Sequence, residues 1–445
     1  MKRDIETDLL DWKNSKMRMP LLLRGARQVG KTYVVETFAQ AHFENLVSIN
    51  FEEHPEFKDC FRTLSPSNIV SEIEVLANLS LIPGKSLLFL DEIQDCPAAI
   101  MALRYFKEKM PELHVIGAGS LLEFALNDEE FRMPVGRVQS LYLKPMSFYE
   151  FLDATGRNKL RTYLDLINLD NPPTEAIHTQ ALRCIREYIA LGGMPAVIDT
   201  YRQTKSMREC QTIQTALLTT YRNDFGKYAK RIQVKHLQKV FQQTPGLIGK
   251  GLKYSHIDSE SPSRDIKIAL GKLCDAGLIT RVYATHASGI PLFAGMNEHK
   301  SKLFFIDVGL VNRAMLLDVE VLFQQDIMLI NQGALAEQFV AQEFLAYQDR
   351  HDSGQLFYWI RDKKGSEAEV DYVVSIGNQI VPIEVKSGST GRLKSIRVFM
   401  NEKKSAIGVR ISQKSLHLEN GLLSIPFYLV GQLRRLLFEE LLHRP

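Results

Sequence analysis

The stretch Leu21-Leu22-Leu23-Arg24-Gly25-Ala26-Arg27-Gln28-Val29-Gly30-Lys31-Thr32 constrains this chain more than any other. Three apolar residues run into a loop of the form G-x-x-x-x-G-K-T, and Tyr33, Val34, Val35 and Phe38 then recur at helical spacing. Strand, loop and helix in that order open an α/β unit built on a parallel sheet. Gly25 and Gly30 allow backbone angles closed to other residues, so the amides from Ala26 through Arg27, Gln28 and Val29 turn inward around phosphates. The start of the helix adds the positive end of its dipole. Lys31 is then placed to reach the β- and γ-phosphates, and the Thr32 hydroxyl to sit on Mg²⁺. The loop predicts a nucleoside triphosphate as ligand.

The 445 residues allow two to four domains. A net charge of +3 neither demands nor excludes nucleic acid, so any basic surface must be local. Cys60, Cys96, Cys184, Cys210 and Cys274 are scattered and lack C-x-x-C spacing, which fits reduced thiols better than a disulfide framework or a zinc site. The first residues turn acidic at once, and no apolar run approaches the ~18 residues of a membrane span. A cytoplasmic protein without a membrane segment is expected.

Downstream of the loop, Asn45 to Phe51 alternates as a strand and Asn68 to Leu79 reads as a helix. Ser86-Leu87-Leu88-Phe89-Leu90 has the continuous apolar character of a strand buried on both faces, and it runs into Asp91-Glu92. Ligands of open parallel sheets bind at the carboxyl ends of their strands. Asp91 is therefore placed to hold Mg²⁺, and Glu92 is the candidate base that orients the attacking water. The bland alternative is that the pair only caps the next helix. His114 to Ser120 is another buried strand, and Ser120 at its end is a candidate γ-phosphate sensor. Gly136-Arg137 precedes a further strand from Val138 to Leu143.

The phosphate loop, Leu90-Asp91-Glu92-Ile93-Gln94, Gly117 to Ser120, Gly136-Arg137-Val138 and Leu143-x-Pro145-x-Ser147-Phe148-x-Glu150-Phe151 together resemble the prokaryotic AAA-type ATPases that carry a C-terminal domain of unknown function. Leu191-Gly192-Gly193-Met194-Pro195 is part of that resemblance. It implies ATP as the nucleotide, and an ATPase as the enzyme class. It also implies Arg137 as an arginine finger offered to a neighbouring subunit, a role that requires a homo-oligomer. The alternative for Arg137 is a surface residue paired with an acid.

Residues 175 to 222 repeat Ala, Leu, Ile, Arg and Glu at helical spacing, as a helical lid does. Arg183, Arg186, Arg222, Lys227, Lys230 and Arg231 read as a solvated helix face before a nucleic-acid patch. From Lys235 to Asp307, three helices and a β-hairpin are expected, the order of a winged helix. Its third helix, Arg264 to Asp275, carries Arg264, Lys267 and Lys272, so DNA is a candidate partner, against a packing module.

In the C-terminal part, Glu369-Val370-Asp371-Tyr372 and Ile383-Glu384-Val385-Lys386 form two strands joined across Gly377-Asn378. Alternation places Glu384 and Lys386 on one face. An Asp, then E-x-K on the neighbouring strand, is the constellation of restriction-endonuclease-like, or PD-(D/E)xK, nucleases. Asp371 and Glu384 are candidate Mg²⁺ ligands, Lys386 the lysine that orients water, and Glu337 on the preceding helix a further ligand. A fold of this kind that no longer cuts is the standing alternative.

The expected architecture is multi-domain α/β: a P-loop AAA-type core at 1–155, a helical lid at 156–230, a winged helix at 231–320 and a nuclease-like α/β domain at 321–445. Two functions follow. One is an ATPase that directs a DNA-binding winged helix and a nuclease in DNA processing or defence. The other is a nucleotide-dependent switch whose C-terminal fold binds nucleic acid or protein without cutting.

Overall fold

The computed structural model describes residues 1–120, 122, 136–228, 231–317, 333–361, 368–387 and 393–442. Lys230 and the side chain of Arg231, both named above, lie outside the described set.

The N-terminal strands are β1 (Leu21–Arg24), β2 (Asn45–Asn50), β3 (Ser86–Asp91), β4 (His114–Ala118) and β5 (Gln139–Tyr142). They form one sheet in the order β2-β3-β4-β1-β5, parallel at every pairing. Successive side chains of a strand point to opposite faces, and here both faces are covered. Leu21, Leu23, Leu87 and Phe89 pack with Val34, Val35 and Phe38 of the helix Lys31–His42. Leu22, Leu88 and Leu90 face the other way, onto Ile69, Ile73, Ile100 and Phe106 of the helices Pro66–Ala77 and Pro97–Lys109. That double burial is why these strands read as unbroken apolar runs.

A second sheet is built from β6 (Ile279–Thr285), β7 (Met296–Phe305), β8 (Phe357–Ile360), β9 (Glu369–Ile376), β10 (Gln379–Val385), β11 (Gly408–Ser412), β12 (His417–Glu419) and β13 (Leu422–Pro426). Its order is β12-β13-β11-β10-β9-β8-β6-β7, with parallel and antiparallel pairings mixed. The three helices and hairpin expected between Lys235 and Asp307 are present as Arg231–Leu247, Tyr254–Ile257, Ser263–Asp275 and β6–β7. The hairpin is not a free wing, however. β6 pairs in parallel with β8 through Tyr283↔Phe357 and Ala284↔Tyr358, so the hairpin extends the C-terminal sheet.

Between the two sheets lie the helices Glu175–Leu191, Pro195–Thr204 and Met207–Tyr228, and the buried helix Ala334–Tyr347. Polar side chains stitch this layer together. Asp307, fully buried, caps the helix Val308–Ala314 by accepting from Leu310 N at 3.0 Å. Its other oxygen accepts from Gly193 N at 2.5 Å and from Gln342 Nε2 at 3.2 Å. The Gly193 carbonyl accepts in turn from Met146 N at 2.7 Å, just beyond β5. Gln338 clasps the backbone of Phe305 with two hydrogen bonds of 2.8 Å, and Glu343 accepts from Phe148 N at 3.0 Å. Among the described residues, no helix is long and apolar enough to cross a membrane.

The Gly-Gly pair is fixed by these approaches. A Cβ on Gly193 would stand 2.2 Å from the Met146 carbonyl oxygen, and one on Gly192, at φ +80°, 2.0 Å from Asp307 Oδ1. Gly193→Ala should therefore lower stability by roughly 2–4 kcal/mol, read as a drop in the thermal midpoint. Gly226→Ala, where a Cβ meets nothing within 4 Å inside a helix, should leave the midpoint unchanged or slightly raised.

Candidate nucleotide site and the C-terminal acidic cluster

The loop after β1 is shaped by three residues with positive φ: Gly25 at +143°, Gln28 at +65° and Gly30 at +94°. At Gly25 the chain runs so close to β5 that a Cβ would lie 2.2 Å from the Leu143 carbonyl oxygen. Ala26 and Val29 are buried and anchor the loop, while Gln28 is exposed. Lys31 opens the helix and folds back, donating to the carbonyls of Gly25 at 3.0 Å and Ala26 at 2.8 Å. Burial lowers its pKa to about 8, against the opposing pull of Glu92 and Asp91.

Thr32 Oγ1 donates to Asp91 Oδ2 at 2.7 Å, which joins the end of the loop to the end of β3. A hydroxyl and a carboxylate so placed are both oxygen donors of the kind Mg²⁺ takes, so this pair fits the ion the motif implies. Burial raises the pKa of Asp91 while the Thr32 hydrogen bond opposes the rise. Glu92 follows in a left-handed conformation at φ +47°. Its Oε2 accepts from Gln94 Nε2 at 2.7 Å and from Ser120 Oγ at 3.3 Å, so two elements aim the candidate base. The fit is close, because a Cβ on Gly119 would lie 2.1 Å from Gln94 Oε1 and one on Gly117 2.7 Å from Ile93. Small residues at Gly117 and Gly119 let β4 accept the turn that carries Glu92.

Contacts that local sequence patterns do not encode hold the loop from outside. Arg3, buried, donates to Val29 O at 2.9 Å and Lys144 O at 2.7 Å, and pairs with buried Glu150 at 2.9 Å. Glu150 also closes the capping box with Ser147. From the helix Met207–Tyr228, Asp224 accepts from Arg27 with both oxygens at 2.9 Å and Tyr221 donates to Arg27 O at 2.9 Å. Gly277, before β6, rests on Ala26, where a Cβ would find that methyl at 3.4 Å. A cleft of about 340 Å³ adjoins Gly30, walled by Tyr33, Val34, Met146 and Pro195 with Asp199 and Arg202 at its rim. Its lining mixes apolar side chains with Arg3, Asp199 and Arg202 beside the phosphate loop. The sequence signal that could have indicated it is Gly192-Gly193-Met194-Pro195, which delivers Pro195.

Arg137 takes the bland alternative within the single chain. It precedes β5, at the end of the sheet away from the loop, and pairs with Glu108 at 3.3 Å while half exposed. Arg183, Arg222 and Lys227 are exposed on their helices, Lys227 pairing with Glu52 and Arg186 donating to Gln413.

The C-terminal residues do converge. The register Ile383↔Tyr372 puts Asp371 next to Glu384, and Val385 N donates to Asp371 Oδ2 at 2.8 Å. Lys386 Nζ lies 2.5 Å from Glu384 Oε1. The buried Lys302 of β7, which no motif marks, enters from the hairpin, with its Nζ 2.6 Å from Glu369, 3.3 Å from Glu337 and 3.8 Å from Asp371. Burial pushes the Glu337 carboxyl up to about 8 and that of Glu384 up to about 7, in both cases with Asp371 adding to the rise. Burial disfavours the Lys302 ammonium, but Glu337, Asp371 and Glu369 outweigh it and raise its pKa. Among the described residues, no group of three or more His, Cys, Asp or Glu side chains is arranged to hold a metal ion. A metal on Asp371, Glu384 and Glu337 therefore does not fit this arrangement, because an ammonium stands among the carboxylates.

With this geometry in place, the family comparisons are specific for the N-terminal third. Residues 17–152 match the model of an AAA domain, residues 182–320 a domain of unknown function (DUF8612) and residues 332–429 another (DUF4143). The match over residues 17–152 supports a P-loop AAA-type domain, a class that binds a nucleotide with Mg²⁺. No curated protein matches the chain. Among solved structures it is similar to Aeropyrum pernix Orc1 in complex with DNA, at 14% identity over 72% of this chain and 92% of that chain, with a TM-score of 0.29. It is also similar to the Thermotoga maritima RuvB Holliday junction branch migration motor, at 14% identity over 63% and 90%, with a TM-score of 0.30.

Phosphate binding favours the charged form of Lys31, so the sign of a pH effect is fixed. ATP affinity should be flat below about pH 8 and fall by up to roughly tenfold per unit above it, with proton uptake on binding near pH 8. Calorimetry in buffers of different ionisation enthalpy measures that uptake, and affinity that stays flat to about pH 9.5 would exclude it.

Proposed function

We propose that this chain hydrolyses Mg-ATP at the loop of β1 and uses the cycle to move the helices and hairpin that lean on that loop. The contact of Thr32 with Asp91, beside a Glu92 aimed by Gln94 and Ser120, carries this reading. Mg²⁺ held by Thr32 and Asp91 would neutralise charge on the β- and γ-phosphates. Lys31 leaves its two carbonyl partners for the phosphates, the amides of Gly25 to Thr32 orient them, and Glu92 holds the attacking water and takes its proton. Arg27 is placed by Asp224 to report the state of the loop to the lid. An arginine-finger role for Arg137 would require its release from Glu108 and a neighbouring copy, so it belongs to this reading only in a homo-oligomer.

DNA is the proposed macromolecular partner, through the three helices between Arg231 and Asp275, whose hairpin is built into the C-terminal sheet rather than left free as a wing. Support comes from the exposed Arg264 and Lys267 on the helix Ser263–Asp275, whose Ile266, Leu270 and Leu273 face inward. For the C-terminal sheet, the second reading is favoured: it keeps the strand pair of a PD-(D/E)xK nuclease but binds rather than cuts. The specific observation is Lys302 among its carboxylates.

Glu92→Gln should retain ATP binding and lose hydrolysis by about 10²–10⁴-fold, measured as phosphate release. Hydrolysis by Glu92→Gln at the wild-type rate would remove Glu92 from its role. For DNA, Arg264→Ala with Lys267→Ala should weaken binding of a labelled duplex and reduce its salt slope by roughly two. Unchanged anisotropy curves would turn the reading toward a packing module.

A further inference from the structure

Lys302 is 1% exposed, a depth at which an ammonium must be matched by charge. Three elements supply the match: Glu337 from the helix Ala334–Tyr347, and Glu369 and Asp371 from β9, with Glu384 of β10 alongside. The ring of Tyr358 also faces the ammonium, 5.3 Å away. Gly249 closes the far side, where a Cβ would press on the Glu337 carboxylate at 3.0 Å. One group in this cluster is left over. Glu384 Oε1 is taken by Lys386, but its Oε2 is buried and has no hydrogen-bond partner among the described residues, with Glu384 as a whole only 6% exposed. A buried carboxylate oxygen without a donor is uncommon and needs a cause. An ammonium and an oxygen-liganded cation compete for the same lone pairs, and Lys302 reaches Glu337, Glu369 and Asp371 without satisfying Glu384.

We propose that the Lys302 ammonium stands in the cation position of this cluster, so that the folded chain takes no divalent ion there, and that removing it uncovers a site for one hard divalent cation among Glu337, Asp371 and Glu384. The cluster then works as a plugged metal site, with the plug supplied by the β6–β7 hairpin. The inference rests on the non-cutting reading of the C-terminal sheet and is independent of ATP hydrolysis, which is assayed separately as phosphate release.

The test uses the full chain without nucleotide and Mn²⁺ as probe. Wild type should show no saturable Mn²⁺ site that Asp371→Asn removes. Lys302→Met should gain one, bound roughly tenfold or more tighter than any wild-type site, and Lys302→Met with Asp371→Asn should lose it again. Lys302→Met should also melt below wild type without the ion and recover on adding Mn²⁺, while wild type does not respond. Mn²⁺ bound by wild type in an Asp371-dependent way would overturn the proposal. So would a Lys302→Met chain that neither binds Mn²⁺ nor gains stability from it. A Lys302→Met chain that fails to fold at any Mn²⁺ concentration also counts against it, because a cation restored at that position must restore the charge balance.

Discussion

Asp307 ties three separate segments of this molecule together. With no exposure to water, its carboxylate spans the helix it caps, the Gly192-Gly193 break between the helices Glu175–Leu191 and Pro195–Thr204, and Gln342 on the helix Ala334–Tyr347. A buried carboxylate is tolerable only when donors surround it. Burial still pushes its pKa up to about 6, with the amides of Gly193 and Leu310 opposing the rise. The donors come from the helix it caps, the Gly192-Gly193 break and the helix Ala334–Tyr347, so the knot is complete only when those three segments are together. The hydrophobic core agrees, since one cluster of buried side chains runs from Leu21 of β1 through Tyr188 to Phe339 and on to Ile383 of β10.

The two lysine–carboxylate sites make an instructive pair. Lys31 lies among Asp91 and Glu92 but bonds to backbone carbonyls, and its partners are weak enough for phosphates to replace. Lys302 is bound by carboxylates directly, in a pocket closed by Gly249 and Tyr358. Similar side chains are therefore held by neutral backbone acceptors in one place and by carboxylates in the other. Both lysines are buried, so the difference lies in these partners.

Sequence reading succeeded where the signal is local. The phosphate loop, the acidic pair ending β3, the five parallel strands and the Asp371–Glu384 strand pair each sit within a short window of residues. It failed where a role depends on distant chain. Arg3 looks like part of a charged leader, yet it supports the phosphate loop through Val29 and Lys144. Asp224 is one acid on a long amphipathic helix, and nothing nearby marks it as the partner of Arg27. Lys302 lies in a strand with no motif to mark it, so its contact with Glu369 and Glu337 is set by tertiary packing alone. The continuous eight-stranded sheet was invisible for the same reason, because two non-local residue pairs create it.

Those two pairs have a mechanical meaning. β9 and β10 are zipped through five residue pairs and β6 and β7 through seven, but β6 meets β8 only at Tyr283 and Ala284. A sheet under load parts where the fewest hydrogen bonds must be broken at once, and here that perforation runs between the hairpin and everything C-terminal to it. The hairpin is also the segment that begins against the phosphate loop at Gly277 and carries Lys302 at its other strand. The weakest line in the second sheet thus coincides with the border between the nucleotide module and the acidic cluster.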